Sequence, residues 1–265
     1  MNGRRLIPYL ALAAIGCFAG SPFAAEPAND FQSSIKALEW RNIGPFNGGR
    51  GSSLVGHPTA PQVFWFGHSS GGLWKTEDAG AYWQPVGQGQ FRYASVGAIA
   101  LHENNPAIMY VGLGEPQLRQ SASWGDGVYK TIDGGKSWEH LGLDEARQIS
   151  QIAISPDNPD LLHVGSMGHA WGPSPERGVF RTKDGVKSWE KVLFKSNGAG
   201  VIDLIMSPQD PTVLFAAVWE FDRKAWGAKT DGPESGLWKS ADGGDTWTEI
   251  TRNEGWPPSI VGQPL

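Results

Sequence analysis

Four segments of this chain repeat one spacing of a hydroxyl, a carboxylate and an indole. In each segment an Asp follows a Ser or Thr by two residues, and a Trp follows the same Ser or Thr by seven. The segments are residues 75–83, 130–138, 181–189 and 239–247, so their Asp residues stand 55, 51 and 58 apart. A recurrence at this period is typical of a repeat architecture, in which one supersecondary unit is stacked several times.

A second marker accompanies the first. An alternating apolar stretch ends in a proline turn before each segment, at Pro61, Pro106, Pro159 and Pro211. The distance from an Asp to the next of these prolines is nearly constant, at 28, 26 and 27 residues, whereas the distance from a proline to the following Asp varies as 17, 27, 25 and 31. Nearly all length variation therefore falls in one part of the unit.

Each unit reads as four short strands, A to D. Strand A precedes the proline turn, strand B follows it, strand C precedes the Asp segment, and strand D begins at the Trp. Four antiparallel strands per repeat of this length predict the blade of a β-propeller. We therefore expect an all-β chain with four blades over residues 38–251, preceded by an extra outer strand at 38–44.

The repeated Asp is predicted to have a structural role. A hydroxyl and a carboxylate two residues apart can bind the N–H groups of a tight turn, while Gly takes a positive φ and the Trp packs beneath. A catalytic acid would instead need a partner carboxylate in a cleft, and these residues recur once per blade. The positions concerned are Asp78, Asp133, Asp184 and Asp242, with Trp83, Trp138, Trp189 and Trp247.

This motif resembles the Asp-box, or BNR, repeat, and the whole pattern is similar to sortilin-type and glycosyl-hydrolase-type BNR propellers of bacterial exported proteins. The resemblance covers roughly residues 38–251. It implies the fold, but it leaves activity open, because such propellers include sialidases, xyloglucan hydrolases, peptide-binding sortilins and photosystem assembly factors.

The variable loops between strands B and C are the predicted functional face. They gather at the end of the blades opposite the Asp turns, where scaffold loops usually carry binding residues. Indole rings, imidazoles and a guanidinium suit a sugar or a peptide, although the tryptophans can equally plug the loops and the histidines can simply be hydrogen-bonded. The candidate ligand-binding residues are His68, Arg119, Trp124, His169, Trp171 and Trp226.

Four loop carboxylates are candidates for catalysis, and their spacing does not pair them: Glu115, Asp126, Glu220 and Asp222. In xyloglucan hydrolases of this superfamily a catalytic Asp precedes a Gly-Gly pair by two residues, but here Ser69 holds that place before Gly71. The sialidase Phe-Arg-Ile-Pro signature is also absent. We therefore favour a noncatalytic binder of carbohydrate, peptide or protein over a glycoside hydrolase, and an extracytoplasmic assembly module is a third class.

Composition and spacing bear on partners and cofactors. The net charge of -5 offers no basic stripe for nucleic acid. The single Cys excludes an intramolecular disulfide, and no HxH, HExxH or CxxC spacing suggests a metal site. We expect no cofactor.

The first 25 residues read as a signal peptide. Arg4 and Arg5 precede a ten-residue apolar run that is too short to span a bilayer. Export to the periplasm or the extracellular space is expected, with residues 26–37 as a linker. Cys17 follows Ala-Ile-Gly, which resembles a lipoprotein box, so a lipid anchor and plain cleavage both stay open.

Strand counting predicts an incomplete ring. The strand at 38–44 and the four blades give five D strands but four of each other kind, and residues 252–265 read as the start of a further blade. Unpaired edges invite association. We therefore expect further blades from a longer parent chain or from a second copy, with a closed four-bladed ring as the alternative.

Overall fold

Four antiparallel sheets of four strands each build the structure, a computed structural model that describes residues 50–117, 119–185 and 188–254. All of these residues belong to one compact unit, residues 45–265. The expected signal peptide, Cys17, the linker, the strand at 38–44 and residues 255–265 lie outside the described residues.

The sheets follow the chain in order, and we call them blades 1 to 4. Blade 1 holds β1 (Gly51–Gly56), β2 (Phe64–His68), β3 (Gly72–Thr76) and β4 (Gln84–Val86). Blade 2 holds β5 (Val96–Leu101), β6 (Met109–Leu113), β7 (Val128–Thr131) and β8 (Glu139–His140). Blade 3 holds β9 (Ile149–Ile154), β10 (Leu162–Ser166), β11 (Gly178–Thr182) and β12 (Glu190–Leu193).

Blade 4 contains an insertion. Its sheet is β13 (Ala199–Met206), β14 (Leu214–Glu220), β17 (Gly236–Ser240) and β18 (Thr248–Glu249). Between its second and third strands lies a separate hairpin, β15 (Asp222–Lys224) and β16 (Gly227–Lys229), which the sequence did not predict. A 3-10 helix, Asp144–Ala146, joins blades 2 and 3.

The prediction of four-stranded antiparallel blades is confirmed, with strands in the order A, B, C, D across each sheet. One boundary was wrong by a residue. Each D strand begins directly after its Trp, at Gln84, Glu139, Glu190 and Thr248. Within the part of the chain described, no helix is long and apolar enough to cross a membrane.

The hydrophobic core consists of three layers, one between each pair of neighbouring blades. Blades 1 and 2 enclose Trp65, Met109 and Leu113, blades 2 and 3 enclose residues such as Tyr110 and Leu162, and blades 3 and 4 enclose residues such as Leu214. Burying one such side chain contributes about 1.5–3 kcal/mol. A blade buries its faces only against its neighbours, so stacking is part of folding.

Polar bonds also join neighbouring blades at equivalent places. The Ser52 hydroxyl in blade 1 donates to the Val96 carbonyl in blade 2, and the Ser150 hydroxyl in blade 3 donates to the Val201 carbonyl in blade 4. The Tyr110 hydroxyl donates to the Pro159 carbonyl at 2.8 Å. These bonds fix the relative height of successive blades.

The four Asp turns share one hydrogen-bond pattern. In every blade the Ser or Thr hydroxyl donates to the Asp Oδ1 at 2.7–2.8 Å, and the N–H four residues after the Asp donates to the same oxygen. In blades 1, 2 and 4 the N–H of the second residue after the Asp donates to that hydroxyl, from Gly80, Gly135 and Gly244, whose φ values are 94°, 95° and 89°.

These bonds favour the charged carboxylates. The pKa of Asp133 lies far below its usual range, first because the Ser137 hydroxyl donates to it, and the pKa of Asp242 falls to about 2, first because of the Thr246 hydroxyl. The tryptophans differ between blades. The indole N–H of Trp138 donates to the Gly135 carbonyl of its own turn, whereas that of Trp189 donates to the Leu141 carbonyl in blade 2.

Candidate functional site

The loops between the second and third strands all leave the end of the blades opposite the Asp turns. Apart from Asp126, the candidate residues fall into two groups there. One group, which we call the blade 1–2 cluster, holds His68, Glu115, Arg119 and Trp124, together with Arg50. The other, the blade 3–4 cluster, holds His169, Trp171, Glu220, Asp222 and Trp226.

Glu115 anchors the blade 1–2 cluster. Its side chain is 1% exposed, and its two oxygens accept bonds from Arg50 Nε and Nη2 at 2.8 and 2.7 Å. Arg119 Nε donates a third bond at 3.0 Å. Arg50 precedes the first strand of blade 1 and Glu115 follows β6, so this bidentate pair ties the two blades together at their loop end.

Arg50 also sets the electrostatics of its surroundings. The hydrogen bond that Arg50 donates to Glu115 raises the pKa of Arg50. Burial, and then the charge of Arg50, lower the pKa of His68, which is 6% exposed and whose Nδ1 accepts the Ser70 N–H at 3.3 Å. His68 therefore lies buried within the loop, where its ring accepts a hydrogen bond, rather than on the surface.

An open cavity of about 440 Å³ adjoins this cluster. It is lined by two aromatic side chains, Tyr93 and Trp124, and by residues that include Ser70, Ser95 and Ser123. Trp124 is 48% exposed, and the Arg147 guanidinium lies 5.3 Å from the centre of its ring. This surface, which we call the blade 1–2 cavity, offers ring faces and hydroxyl groups together.

Arg177 organises the blade 3–4 cluster, and the sequence analysis did not identify it. It is fully buried and donates to four carbonyls, those of His169, Gly172, Gly198 and Phe221. Its guanidinium lies 3.9 Å from the centre of the Phe221 ring. Burial lowers the pKa of Arg177 to about 10, and the negative charge of Asp222 opposes that shift.

The surface residues of this cluster are held by the same loops. Trp171 is 39% exposed, and its backbone forms an isolated parallel β-bridge with Arg223 of the inserted hairpin. The Arg223 guanidinium lies over the Trp171 ring, 6.0 Å from its centre. Asp222 pairs with Lys224 at 3.0 Å within the hairpin. Trp226, at the hairpin tip, is 86% exposed.

Glu220 ends β14 instead of lying in the loop. Its carboxylate accepts bonds from Lys229 Nζ at 3.0 Å and from the Glu234 N–H at 3.1 Å. Glu115 and Asp126 belong to blade 2, while Glu220 and Asp222 belong to blade 4, with blade 3 between them. The structure thus does not bring the four candidate carboxylates into one cleft.

One position in the repeat holds a buried polar group in three of the blades. A Gly opens the third strand in blades 3 and 4 and directly precedes it in blade 2. The residue before that Gly is Asp126 in blade 2, Arg177 in blade 3 and Ser235 in blade 4, at 4%, 0% and 9% exposure. Aligning the repeats on that Gly would have marked all three. Arg177 binds loop carbonyls, and the Ser235 hydroxyl accepts the N–H of Glu220 at the end of β14 at 2.9 Å.

Proteins with known functions resemble this chain in sequence. A xyloglucanase of Paenibacillus sp is 26% identical over 78% of this chain and 21% of its own length. A probable oligoxyloglucan-reducing end-specific xyloglucanase of Neosartorya fischeri is 22% identical over 86% of this chain and 27% of its own length. This chain thus spans about a quarter of the length of these relatives, and no protein-family profile matches it.

Solved structures resemble it too. An ancestral GH74 enzyme superposes with a TM-score of 0.60 at 22% identity, covering 81% of this chain and 25% of that enzyme. The GH74 xyloglucanase of Xanthomonas campestris gives a TM-score of 0.52 at 20% identity, covering 77% and 30%. The fold is that of β-propeller blades. The sequence relatives favour the glycoside-hydrolase alternative over the sortilin-like interpretation that we placed first.

Proposed function

We propose that this chain is part of an exported, xyloglucan-active propeller of the glycoside-hydrolase kind, and that its blade 1–2 cavity binds the glucan chain. The observation that carries the proposal is the cavity itself. Tyr93 and Trp124 offer ring faces for sugar rings, and the surrounding serines offer donors and acceptors for sugar hydroxyls. The names of the sequence relatives support a glucan over a peptide as the ligand.

Glu115 has a structural role at this site, because it holds two arginine side chains in place. Both of its oxygens are occupied by guanidinium N–H groups, and its side chain is 1% exposed, so no oxygen faces a substrate. It holds Arg50 and Arg119 at the loop end of blades 1 and 2, where their remaining N–H groups can donate to sugar oxygens.

Hydrolysis needs two carboxylates about 5 to 9.5 Å apart on opposite sides of the glycosidic bond. Among the described residues, the four loop carboxylates are divided between blade 2 and blade 4. We propose that the described blades contribute substrate binding, and that a catalytic pair would include a carboxylate from outside them.

A noncatalytic glycan-binding propeller is the second candidate. Ser69 favours it, because an Asp is expected at that place in the xyloglucan hydrolases that this motif resembles. Release of reducing ends from xyloglucan by the purified protein distinguishes the two: release supports the hydrolase, whereas binding without release supports the binder.

Binding is tested by titrating xyloglucan oligosaccharides into the protein by calorimetry. Trp124→Ala should weaken binding at least tenfold, because stacking on this ring is lost. Trp226→Ala is the matched control, since that indole is more exposed but lies outside the cavity, and it should bind like wild type. Equal losses in both variants, or no binding by wild type, would contradict the proposed site.

A further inference from the structure

A second cavity, of about 400 Å³, lies beside the outer strand of blade 2. Three of its lining residues are aromatic, Phe91, Tyr129 and Trp138, and two are acidic, Asp126 and Asp144. It shares no lining residue with the blade 1–2 cavity. We call it the acidic aromatic pocket, and the glucan-binding proposal does not use it.

Asp126 is the unusual group in this pocket. The residue is 4% exposed, and its Oδ2 accepts the Tyr129 hydroxyl at 3.0 Å. Its Oδ1 is buried and has no hydrogen-bond partner among the described residues. A buried carboxylate oxygen without a donor is costly, and a ligand that donates to it would remove that cost.

The chain fixes Asp126 in place on both sides. A Cβ on Gly125 would approach the Leu113 carbonyl carbon to 2.2 Å, and a Cβ on Gly127 would approach the Gly142 oxygen to 1.9 Å. Only glycine therefore fits at either neighbour. His140 Nε2 donates to the Asp126 carbonyl at 2.7 Å, so the backbone is held as well. The unpaired oxygen is a preorganised acceptor.

The aromatic side of the pocket is also held in place by close packing. The Phe91 ring meets the Tyr129 and Trp138 rings edge-on, with centroids 5.1 and 5.0 Å apart. Gly87 makes room for it, because a Cβ there would lie 2.5 Å from the Phe91 ring. Gln90 fastens this loop to blade 2 by accepting the Trp138 N–H at 2.9 Å. Such rings attract cations through their faces.

The charges of the pocket favour a cation. Asp126 and Asp144 outnumber the one arginine in its lining, Arg92, whose guanidinium lies 5.7 Å from the Tyr93 ring. His140 also lines the pocket, with its Nε2 3.9 Å from Asp144 Oδ1. Tyr129 adds no charge, because burial first, and then the hydrogen bond to Asp126, raise its pKa to about 12. No group of three potential metal ligands occurs among the residues described, so these groups do not form a ready metal site.

We infer that the acidic aromatic pocket binds a primary ammonium group, with Asp126 Oδ1 accepting its N–H and the rings of Phe91, Tyr129 and Trp138 around its alkyl chain. The repeat supports a ligand role. Arg177 and Ser235, at the equivalent position, bind backbone groups, whereas Asp126 Oδ1 has no hydrogen-bond partner among the described residues. A free amine and a lysine side chain share this chemistry.

The test is calorimetry or ligand-observed NMR on the purified chain with n-butylamine, with Nα-acetyl-lysine methylamide, and with n-butanol as the neutral analogue. Both amines are expected to bind in the millimolar range, and butanol at least tenfold more weakly. Binding of the lysine derivative alone would indicate a peptide source, and binding of butylamine alone a free amine; either result supports the inference.

Two variants complete the test. Asp126→Asn removes the charge with little change in shape and should weaken amine binding at least tenfold. Asp157→Asn, an exposed turn residue in blade 3, is the matched control and should bind like wild type. Equal affinity for butanol and butylamine in wild type would overturn the inference without any variant, as would unchanged binding in a folded Asp126→Asn protein. Xyloglucan binding, measured in parallel, should not depend on Asp126.

Discussion

The two ends of the blades are built on different principles. At the Asp-turn end, every blade repeats one bonding pattern, hydroxyl to carboxylate and carboxylate to N–H, with nearly the same distances. At the loop end the supporting features differ: an ion pair joins blades 1 and 2, a buried arginine holds the loop of blade 3, and blade 4 has an inserted hairpin. The repeated end supports the fold, and the varied end is free to acquire binding sites.

The loops at the varied end are nevertheless held in defined positions. Buried polar groups hold its loops, and the equivalent position occupied by Asp126, Arg177 and Ser235 shows where the repeat places them. Diversity of residue type at one fixed, buried place lets neighbouring loops differ while the strands below keep their register.

The largest effect is expected from removing the loop-end support in blade 3. Arg177→Ala leaves four carbonyls without their donor and opens a cavity, so the free energy of unfolding should fall by about 4 kcal/mol. Denaturant unfolding measures this. Arg252→Met, at a side chain 79% exposed, is the control and should change stability little. If Arg177→Ala lowers the free energy of unfolding only slightly, the loop end does not depend on buried polar groups.

The second prediction concerns the junction of blades 3 and 4 at the Asp-turn end. His163 is fully buried and its Nε2 donates to the Gly243 carbonyl at 3.0 Å. Burial lowers the pKa of His163 to about 4, and the charges of Arg181 and Lys183 also lower it, whereas the Gly243 bond and Asp245 raise it.

Because the unfolded histidine binds a proton below about pH 6.5, stability is full above that pH and falls as the pH drops from 6.5 to about 4. The loss should be about 3 kcal/mol, measured by denaturant unfolding across the window. His163→Gln should remove the loss in this window, while His57→Gln should retain it. An unchanged pH dependence in His163→Gln would assign the effect to other groups.

The third prediction separates the two ends directly. Asp133→Ala removes the acceptor of four bonds in one turn, so Tm should fall by several degrees while xyloglucan binding stays unchanged. Asp157→Ala, in the exposed turn of blade 3, is the control for Tm. Loss of affinity without loss of Tm would show that the functional face lies at the Asp-turn end.

The smallest expected effect is a gain. Ala79 follows the Asp of blade 1 with φ 59°, where the other blades have Gly134, Gly185 and Gly243 at 74°, 67° and 71°. Ala79→Gly should relieve this strain and raise stability by about 0.5–1 kcal/mol. Ala81→Gly, outside the positive-φ region, should not stabilise. Thermal unfolding of both variants tests whether the Asp turns tolerate imperfect copies.

The sequence predicted the fold because the repeat is enforced at short range. Hydroxyl, carboxylate, Gly and Trp act within nine residues, so their spacing survives in the sequence, and the blades and their strand order follow from it. The loop end resisted prediction because its contacts are long-range. Arg50 meets Glu115 across 65 residues, and no local pattern marks that pair.

The candidate site was predicted in part. The loop face was inferred from length variation, and Trp124 does line a cavity there. Glu115 and His68, chosen as polar residues of the variable loops, are buried: Glu115 is bound by Arg50 and Arg119, and His68 Nδ1 accepts the Ser70 N–H. Arg177 was missed because a lone arginine before a glycine carries no signal until the repeats are aligned on the third strand.

The hairpin of blade 4 has a consequence for how such a protein can change. Val218 still pairs with Gly236 across the sheet, although β15 and β16 are inserted between them. Lengthening a loop whose ends are already held costs only about 0.6 kcal/mol for each doubling of its length. The gap between β14 and β17 is therefore a natural point of insertion, where evolution or an engineer can add a recognition peptide and leave the sheet beneath it unaltered.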